Sequence, residues 1–437
     1  MMAFNAVLAV SNKGPTTARS SAIKSYFMTN NNYYWIIHQA RQALSSRHFE
    51  QRKEPISMKS HSRIGGWNAG IRTGLSVLLG IFLLLAGCGP PEPIRIGFVG
   101  GVSGRVADLG IAGRNGAQLA VELRNQAGGV AGRPVELLVR DDQQDPEVAE
   151  QVTRELIARG VVAIVGPMTS AMAMRMTPIA NEARVLLISP TVTTKDLSGR
   201  EDYFFRVNDS TQESAITSAR YQLQAQRLRR AAVAYDLKNR AYTESWLHDF
   251  RETFIQGGGE VVTALGFESG DETALLPIAR ALLVDPVDSV VLVANSVDAA
   301  LLCQQIRKLD TNVPIVVAEW GATERLVELG GRAVEGVTVT QSFDRDSPAP
   351  RYQAFRQAYR DRFGQEPGFA GTAAFDATQV VLEALAQRRS GQRLKQAVLA
   401  ARPFEGLQSP LNFDDFGDAR RKNFVTVVRG GQFVVVE

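Results

Sequence analysis

From Ile94 to Thr340 short apolar runs alternate with stretches of helical period, and the alternation comes in two series. In the first, Ile94 to Val99 (IRIGFV) reads as a strand that runs into the glycine-rich turn Gly100-Gly101-Val102-Ser103-Gly104. Gln118 to Gln126 then spaces its apolar residues three and four apart, and Gly128-Gly129 stops it. Val135 to Val139 is a second strand. Asp145-Pro146 supplies an N-cap and a first-turn proline for a helix carrying Val148, Val152 and Leu156 on one face, closed by Gly160. Val161 to Val165 is apolar throughout, as a strand covered on both faces should be. A helix over 171–183 and a strand over 185–188 follow. After a break around Ser189-Pro190 and Gly199 the second series begins. It reads as helices over 211–224, 244–256, 273–283 and 297–309, with strands over 231–235, 261–267, 289–293, 315–318 and 336–340. Such alternation with short Gly/Pro connections means parallel sheets with helices on both faces, so the chain is predicted to form two α/β lobes.

The segment before the first strand has another character. Leu75 to Leu79 and Ile81 to Ala86 form an apolar run that follows Lys59, Arg63 and Arg72 and ends in Leu85-Ala86-Gly87-Cys88. A basic region, an apolar core too short to span a bilayer comfortably and small residues before a cut are the layout of a secretory signal peptide. Leu-Ala-Gly-Cys resembles the lipobox of bacterial lipoproteins, whose cysteine is acylated and becomes the first mature residue. The expected division is therefore an upstream extension outside the native chain over 1–57, a signal peptide over 58–87 starting at Met58, and a lipid anchor with a proline-rich tether over 88–93.

That division reverses the charge. The whole chain has 49 Lys/Arg against 45 Asp/Glu. Residues 1–87 hold ten of those cations and two of those anions, which leaves 39 cations facing 43 anions and removes any case for nucleic-acid binding. Only His248 of the four histidines survives, beside Cys88 and Cys303. With Cys88 taken by lipid, neither an intrachain disulfide nor a Cys/His metal cluster is expected, and no cofactor is implied. Ser–His or Cys–His catalysis would have to use His248, whose setting (Trp246-Leu247-His248-Asp249-Phe250) suits a partly exposed helix residue better. Gly97, Gly100, Gly101 and Gly104 do not make Gly-x-Gly-x-x-Gly, so a dinucleotide loop is set aside.

Ligands of open α/β sheets bind outside the carboxyl ends of the strands. The first lobe offers hydroxyls there: Ser103, Thr169, Ser170, Thr191 and Thr193. With free helix N–H groups they would form a neutral cradle for a carboxylate. The second lobe offers Asp236, Tyr242, Asn295, Ser296, Glu319 and Trp320, an acid among aromatic faces suited to an ammonium group. A carboxylate wall facing an ammonium wall is what an amino acid needs. Each residue also has a plainer use: Ser103, Ser170 and Thr191 as helix caps, Glu319 as a solvated charge, Trp320 as core.

Several motifs now add up: Ser103-Gly104, Ala127-Gly128-Gly129-Val130-Ala131-Gly132, Asp141-Asp142 with Asp145-Pro146, Val165-Gly166, Ile188-Ser189-Pro190, Phe375-Asp376-Ala377, and Ser409-Pro410-Leu411-Asn412-Phe413-Asp414 with Gly417. Through them the chain resembles the leucine/isoleucine/valine-binding family of periplasmic type I solute-binding proteins over nearly all of 94–437. The resemblance implies two Rossmann-like lobes joined by a three-crossover hinge, lobe one spanning 94–206 with 341–408 and lobe two 207–340 with 409–437. It places ligand contacts at Ser170, Thr191 and Thr193, at Tyr242, and at Glu319 or Trp320. It also puts the family's paired cysteines at Gln144 and Thr169, so that disulfide is missing. The implied activity is capture of an amino acid, amide or urea-like solute and delivery to the permease and ATPase subunits of an ABC importer. The protein would sit in the periplasm, touching the membrane through its lipid alone. A rival of the same fold regulates a cell-envelope enzyme and carries no solute. A hydroxyl-lined cleft would favour capture and a filled one the regulator; an enzyme ranks third.

Overall fold

Each strand series closes into a sheet, and both sheets have the same strand order. The computed structural model describes residues 91–437; the expected signal segment, Cys88 and residues 1–57 lie outside the described residues. The first sheet holds β1 (Ile94–Gly100), β2 (Val135–Asp141), β3 (Ala163–Val165), β4 (Leu186–Ser189) and β5 (Phe204–Arg206), ordered β2-β1-β3-β4-β5 and parallel throughout. The second holds β6 (Arg230–Asp236), β7 (Glu260–Phe267), β8 (Ser289–Val293), β9 (Ile315–Val317) and β10 (Thr338–Gln341), ordered β7-β6-β8-β9-β10 and also parallel. Antiparallel β11 (Phe424–Arg429) and β12 (Gln432–Val435) extend it beyond β10. Strand order reverses beside β1 in one sheet and beside β6 in the other, so each lobe opens a crevice at its strands' carboxyl ends. Every residue of β3 and β8 is buried, as strands sandwiched between helix layers require.

The helices are α1 (Ala107–Gln126), α2 (Pro146–Ala158), α3 (Ser170–Ala183), α4 (Thr211–Gln224), α5 (Arg240–Gln256), α6 (Glu272–Leu282), α7 (Ser296–Leu309), α8 (Glu324–Gly330), α9 (Pro350–Phe363), α10 (Phe369–Gln387) and α11 (Leu394–Ala401). Asp145 caps α2 as its sequence requires, its carboxylate accepting from Glu147 N (2.8 Å) and Val148 N (3.1 Å). Helix α1 starts far upstream of Gln118, where the apolar period began. Its first half packs through glycines: a Cβ at Gly110 would lie 2.0 Å from Gly101 O, and one at Gly116 2.0 Å from Gly371 O. Backbone contact of this kind leaves no apolar stripe for a periodicity argument to find.

The chain leaves the first sheet after β5 and builds the second. It then returns after β10 to lay α10 on α1, and crosses once more to β11. The last crossing lies beyond the 408/409 boundary that the resemblance implied. Residues 411–419 stay with the first lobe. Arg206 N donates to Gly417 O (3.0 Å), Ala419 N donates to Arg206 O (3.2 Å), and Phe413 packs on Phe205 with ring centres 5.7 Å apart. Arg206, 1% exposed, pairs with Asp418 at 2.8 Å and donates to Thr194 O. Removing one partner would leave Arg206 as an uncompensated buried charge, so this return strap is tied to the edge of the first sheet.

Candidate functional site

The two crevices face each other across a cavity. First-lobe residues Leu109, Met168, Thr169, Ser170 and Thr191 form one wall, and Asn239, Tyr242, Glu319 and Trp320 form the other. Asn208, Gln341 and Ser342 line it from the crossovers, and Phe369 lines it from the start of α10. The space measures about 440 Å³ with its opening to solvent counted, but a water molecule's centre could move through only about 20 Å³ of it. The walls are close together.

Most of the first wall's hydroxyls are already spoken for. Thr169 Oγ1 donates to Gln144 Oε1 (2.9 Å), a hydrogen bond between the two positions where the resemblance implied a disulfide in other members. Thr191 Oγ1 donates to Met168 O (2.6 Å). A hydroxyl has one proton, so neither can also donate to a ligand carboxylate. Ser170 differs. It opens α3 at 2% exposure, and its Oγ accepts from Thr194 N (3.4 Å), which leaves its proton to give. The next backbone amide, Ala171 N, donates to Asn239 Oδ1 from across the cavity (3.0 Å). A side-chain amide oxygen thus holds the helix-start donor that a carboxylate oxygen would want.

The second wall is unsatisfied. Glu319 follows β9, and its carboxyl Oε1 is fully covered without a hydrogen-bond partner among the described residues. Burial pushes its pKa from 4.5 up to about 7; the hydroxyls of Ser214 and Thr193 pull it partly back, and the charge of Asp209 adds to the rise. Neither hydroxyl completes a bond to Oε1, since Ser214 Oγ donates to Thr211 O (3.2 Å) and Thr193 Oγ1 is itself unpartnered. Tyr242 Oη accepts from Trp320 N (3.4 Å), and the two rings meet edge-on at 5.7 Å. Burial, helped by the nearby Glu319 charge, holds the Tyr242 phenol far above its usual range, so it stays protonated. Among the described residues no cation pairs with Glu319, so its carboxyl is left uncompensated in an aromatic corner.

Thr193 does not line the cavity beside Ser170. Four other sequence-predicted residues also lie off the cavity; one of them, Asp236, is buried, and its Oδ1 accepts from Lys238 N (2.9 Å) and Ser269 N (3.2 Å). Ser103 is exposed at the head of a 3-10 turn and caps nothing. Asn295 caps α7, accepting from Asp298 N (3.0 Å) and donating to Asp298 Oδ2 (2.7 Å). Ser296 Oγ donates to Asp108 Oδ2 (2.7 Å). Strand-end position marks a loop, but it does not say whether the loop's polar atoms serve the fold or the cavity. Conversely, the crossovers contribute Asn208 and Ser342, joined at 2.8 Å through Ser342 Oγ and Asn208 Oδ1, and Gln341 from the last residue of β10. Their segments have no helical or strand period to flag them. Asn239 lies just past the end of β6, so its position carries the same strand-end signal as that of Tyr242. Among the described residues no histidine or cysteine lines the cavity. His248 is exposed on α5, and Cys303 is buried with its thiol pushed up to about 12.

Comparison with known proteins extends this picture. A family model described as periplasmic binding protein matches residues 93–432. The chain is 26% identical over 337 residues to the leucine-, isoleucine-, valine-, threonine-, and alanine-binding protein of Pseudomonas aeruginosa, covering 76% of this chain and 89% of that protein. It is 24% identical over 350 residues to the Leu/Ile/Val-binding protein of Escherichia coli, covering 78% and 94%. Among solved structures it superposes on the leucine-binding protein LivK of Thermotoga maritima (TM-score 0.72, 25% identity, 79% of this chain and 98% of that one). It also superposes on the branched-chain amino acid transporter substrate-binding protein LivJ of Streptococcus pneumoniae in complex with isoleucine (TM-score 0.73, 25% identity, 79% and 99%).

Proposed function

The chain belongs to the periplasmic binding protein family, and on that premise we propose that it captures an amino acid or similar small polar solute between its lobes and delivers it to an ABC importer. The observation that carries the reading is Glu319. A buried carboxyl with a free oxygen and no neighbouring cation is costly unless something cationic joins it. A ligand ammonium against Glu319, beside the Tyr242–Trp320 corner, supplies that partner. Ser170 Oγ and the start of α3 take the carboxylate, which replaces Asn239 Oδ1 on Ala171 N. The four relatives named above carry the names of amino-acid-binding or branched-chain amino acid transporter proteins, which supports this assignment. Capture involves no bond making, so the protein is a receptor and not an enzyme, with the permease and ATPase subunits as its partners.

The location follows from the same reading: outside the cytoplasm, tethered by lipid on Cys88 once 58–87 are removed. Cys88→Ser should release soluble protein or leave uncut precursor. Unchanged membrane fractionation would contradict the anchor.

The narrowness of the cavity favours a second reading, an envelope-enzyme regulator of the same fold whose closed cleft takes no solute. A thermal-shift panel of amino acids, amides and urea separates the two. Solute at a hundred times Kd stabilises a receptor by about 2.7 kcal/mol. If no member of the panel moves the melting temperature, capture loses to regulation.

A further inference from the structure

A cavity this narrow must widen before an amino acid can enter, so the lobes must part and contacts across the cleft must break. Such contacts lie on both sides of the cavity. On one side Arg105, just after β1, pairs with Glu272 (2.7 Å) and Asp298 (3.2 Å) of the second lobe. Beside it Asp108 Oδ2 accepts from Ser296 Oγ and Thr323 Oγ1. On the other side Lys195, beyond β4, pairs with Asp249 on α5, and its backbone N donates to Ser245 Oγ (3.3 Å). Both sides share one design: a first-lobe cation reaching a second-lobe carboxylate.

The acceptors are poorly served without those cations. Asp249, 2% exposed at its side chain, has Oδ2 covered and unpartnered, so Lys195 is its one side-chain partner among the described residues. Asp298, 1% exposed, spends Oδ2 on Asn295 Nδ2 and Ser269 Oγ and leaves Oδ1 to Arg105. The cations are more open, at 24% for Arg105 and 34% for Lys195, so each pair draws on both burial and charge.

We infer that Arg105 and Lys195 are positioning residues for solute capture: neither lines the cavity, yet each holds the lobes shut over it. The inference rests on the capture reading for its effect on affinity, and on the cross-cleft pairs alone for its effect on lobe separation. It also gives Ser296, which the sequence marked as a ligand contact, a use in closure.

Two measurements on the full chain test it. The first is the Kd and dissociation rate of whichever of L-leucine, L-threonine and L-glutamine binds wild type most tightly, compared in Arg105→Met and Lys195→Met. Each variant should raise Kd about tenfold, the lower end for a charged contact because the pairs are partly solvated. The rise should come from faster dissociation. Lys195→Met and Asp249→Asn together should cost little more than either alone. The second is the interlobe distance distribution of ligand-free protein, by pulsed electron paramagnetic resonance between oxime-linked labels at positions 126 and 284; it should lengthen or broaden in both variants. If wild type binds none of the three solutes, capture fails and the distance measurement alone decides. Unchanged distances overturn the latch, as do an unchanged Kd and dissociation rate in both variants when wild type binds.

Discussion

The two walls of the cleft look alike in sequence and differ in what they still need. On the first-lobe wall Thr169 and Thr191 have given their protons to Gln144 and Met168, and Ala171 N is held by Asn239. On the second-lobe wall Glu319 Oε1 has no hydrogen-bond partner, and burial has raised its pKa to about 7. A polar group already satisfied by the protein gains little from a ligand. One left unsatisfied in a low-dielectric corner gains the full desolvation cost it has been carrying. Binding energy should therefore be concentrated on the second wall, with the first supplying shape and one free hydroxyl, that of Ser170.

Glu319→Gln breaks that contrast most severely. Removing the charge an ammonium would pair with should weaken amino-acid binding by about a hundredfold or more, roughly 3 kcal/mol, in a calorimetric titration. The same change should stabilise the ligand-free protein. In the folded state Glu319 keeps its proton up to about 7, whereas the unfolded side chain loses it near 4.5. The folded state thus binds more protons through that window, and its contribution to stability falls as pH rises from about 4.5 to about 7. The neutral glutamine lacks this penalty, so the variant's melting temperature should exceed wild type's at pH 8 and match it more closely at pH 4.5. A variant no more stable than wild type at pH 8 would mean that Glu319 is not held protonated by burial.

Ser170→Ala should cost less, about 1.5–3 kcal/mol or ten- to a hundredfold in Kd for a solute bearing a carboxylate. With an amide in place of the carboxylate the loss should shrink to about 1 kcal/mol. An equal loss for both would take the carboxylate away from this hydroxyl. Thr169→Val and Thr191→Val should hardly move affinity at all. Each should instead lower stability by about 1 kcal/mol, because Gln144 Oε1 or Met168 O loses its donor. A large affinity loss in either would show that the first wall is less satisfied than its geometry indicates.

The same contrast explains what could be read from sequence. Alternation and the Asp145-Pro146 cap give the two parallel sheets, because both depend on local period and local hydrogen bonds. What eluded that reading depends on contacts distant in sequence. The glycine face of α1 against Gly101 and Gly371, the three-residue β5, and the strap over 411–419 clamped by Arg206 and Asp418 are cases in point. At the site, Glu319, Trp320 and Tyr242 were legible because an acid among aromatics is unusual at strand ends. Asn208 and Ser342 were not, lying on crossovers without pattern. Ser103, Asn295 and Ser296 looked like their neighbours, and only the hydrogen-bond partners separate a cap or a cross-lobe contact from a cavity donor.

The most direct measurement is the affinity of wild type for its tightest-binding amino acid between pH 5 and 8.5, run beside Glu319→Gln. A carboxyl that holds its proton up to about 7 must release it before it can pair with an ammonium. Affinity should therefore rise as pH rises through about 7 and fall by up to about tenfold per pH unit below it, while the weak residual binding of the glutamine variant stays flat. A flat wild-type profile, or the same slope in both proteins, would contradict the assignment of Glu319 as the group that the solute completes.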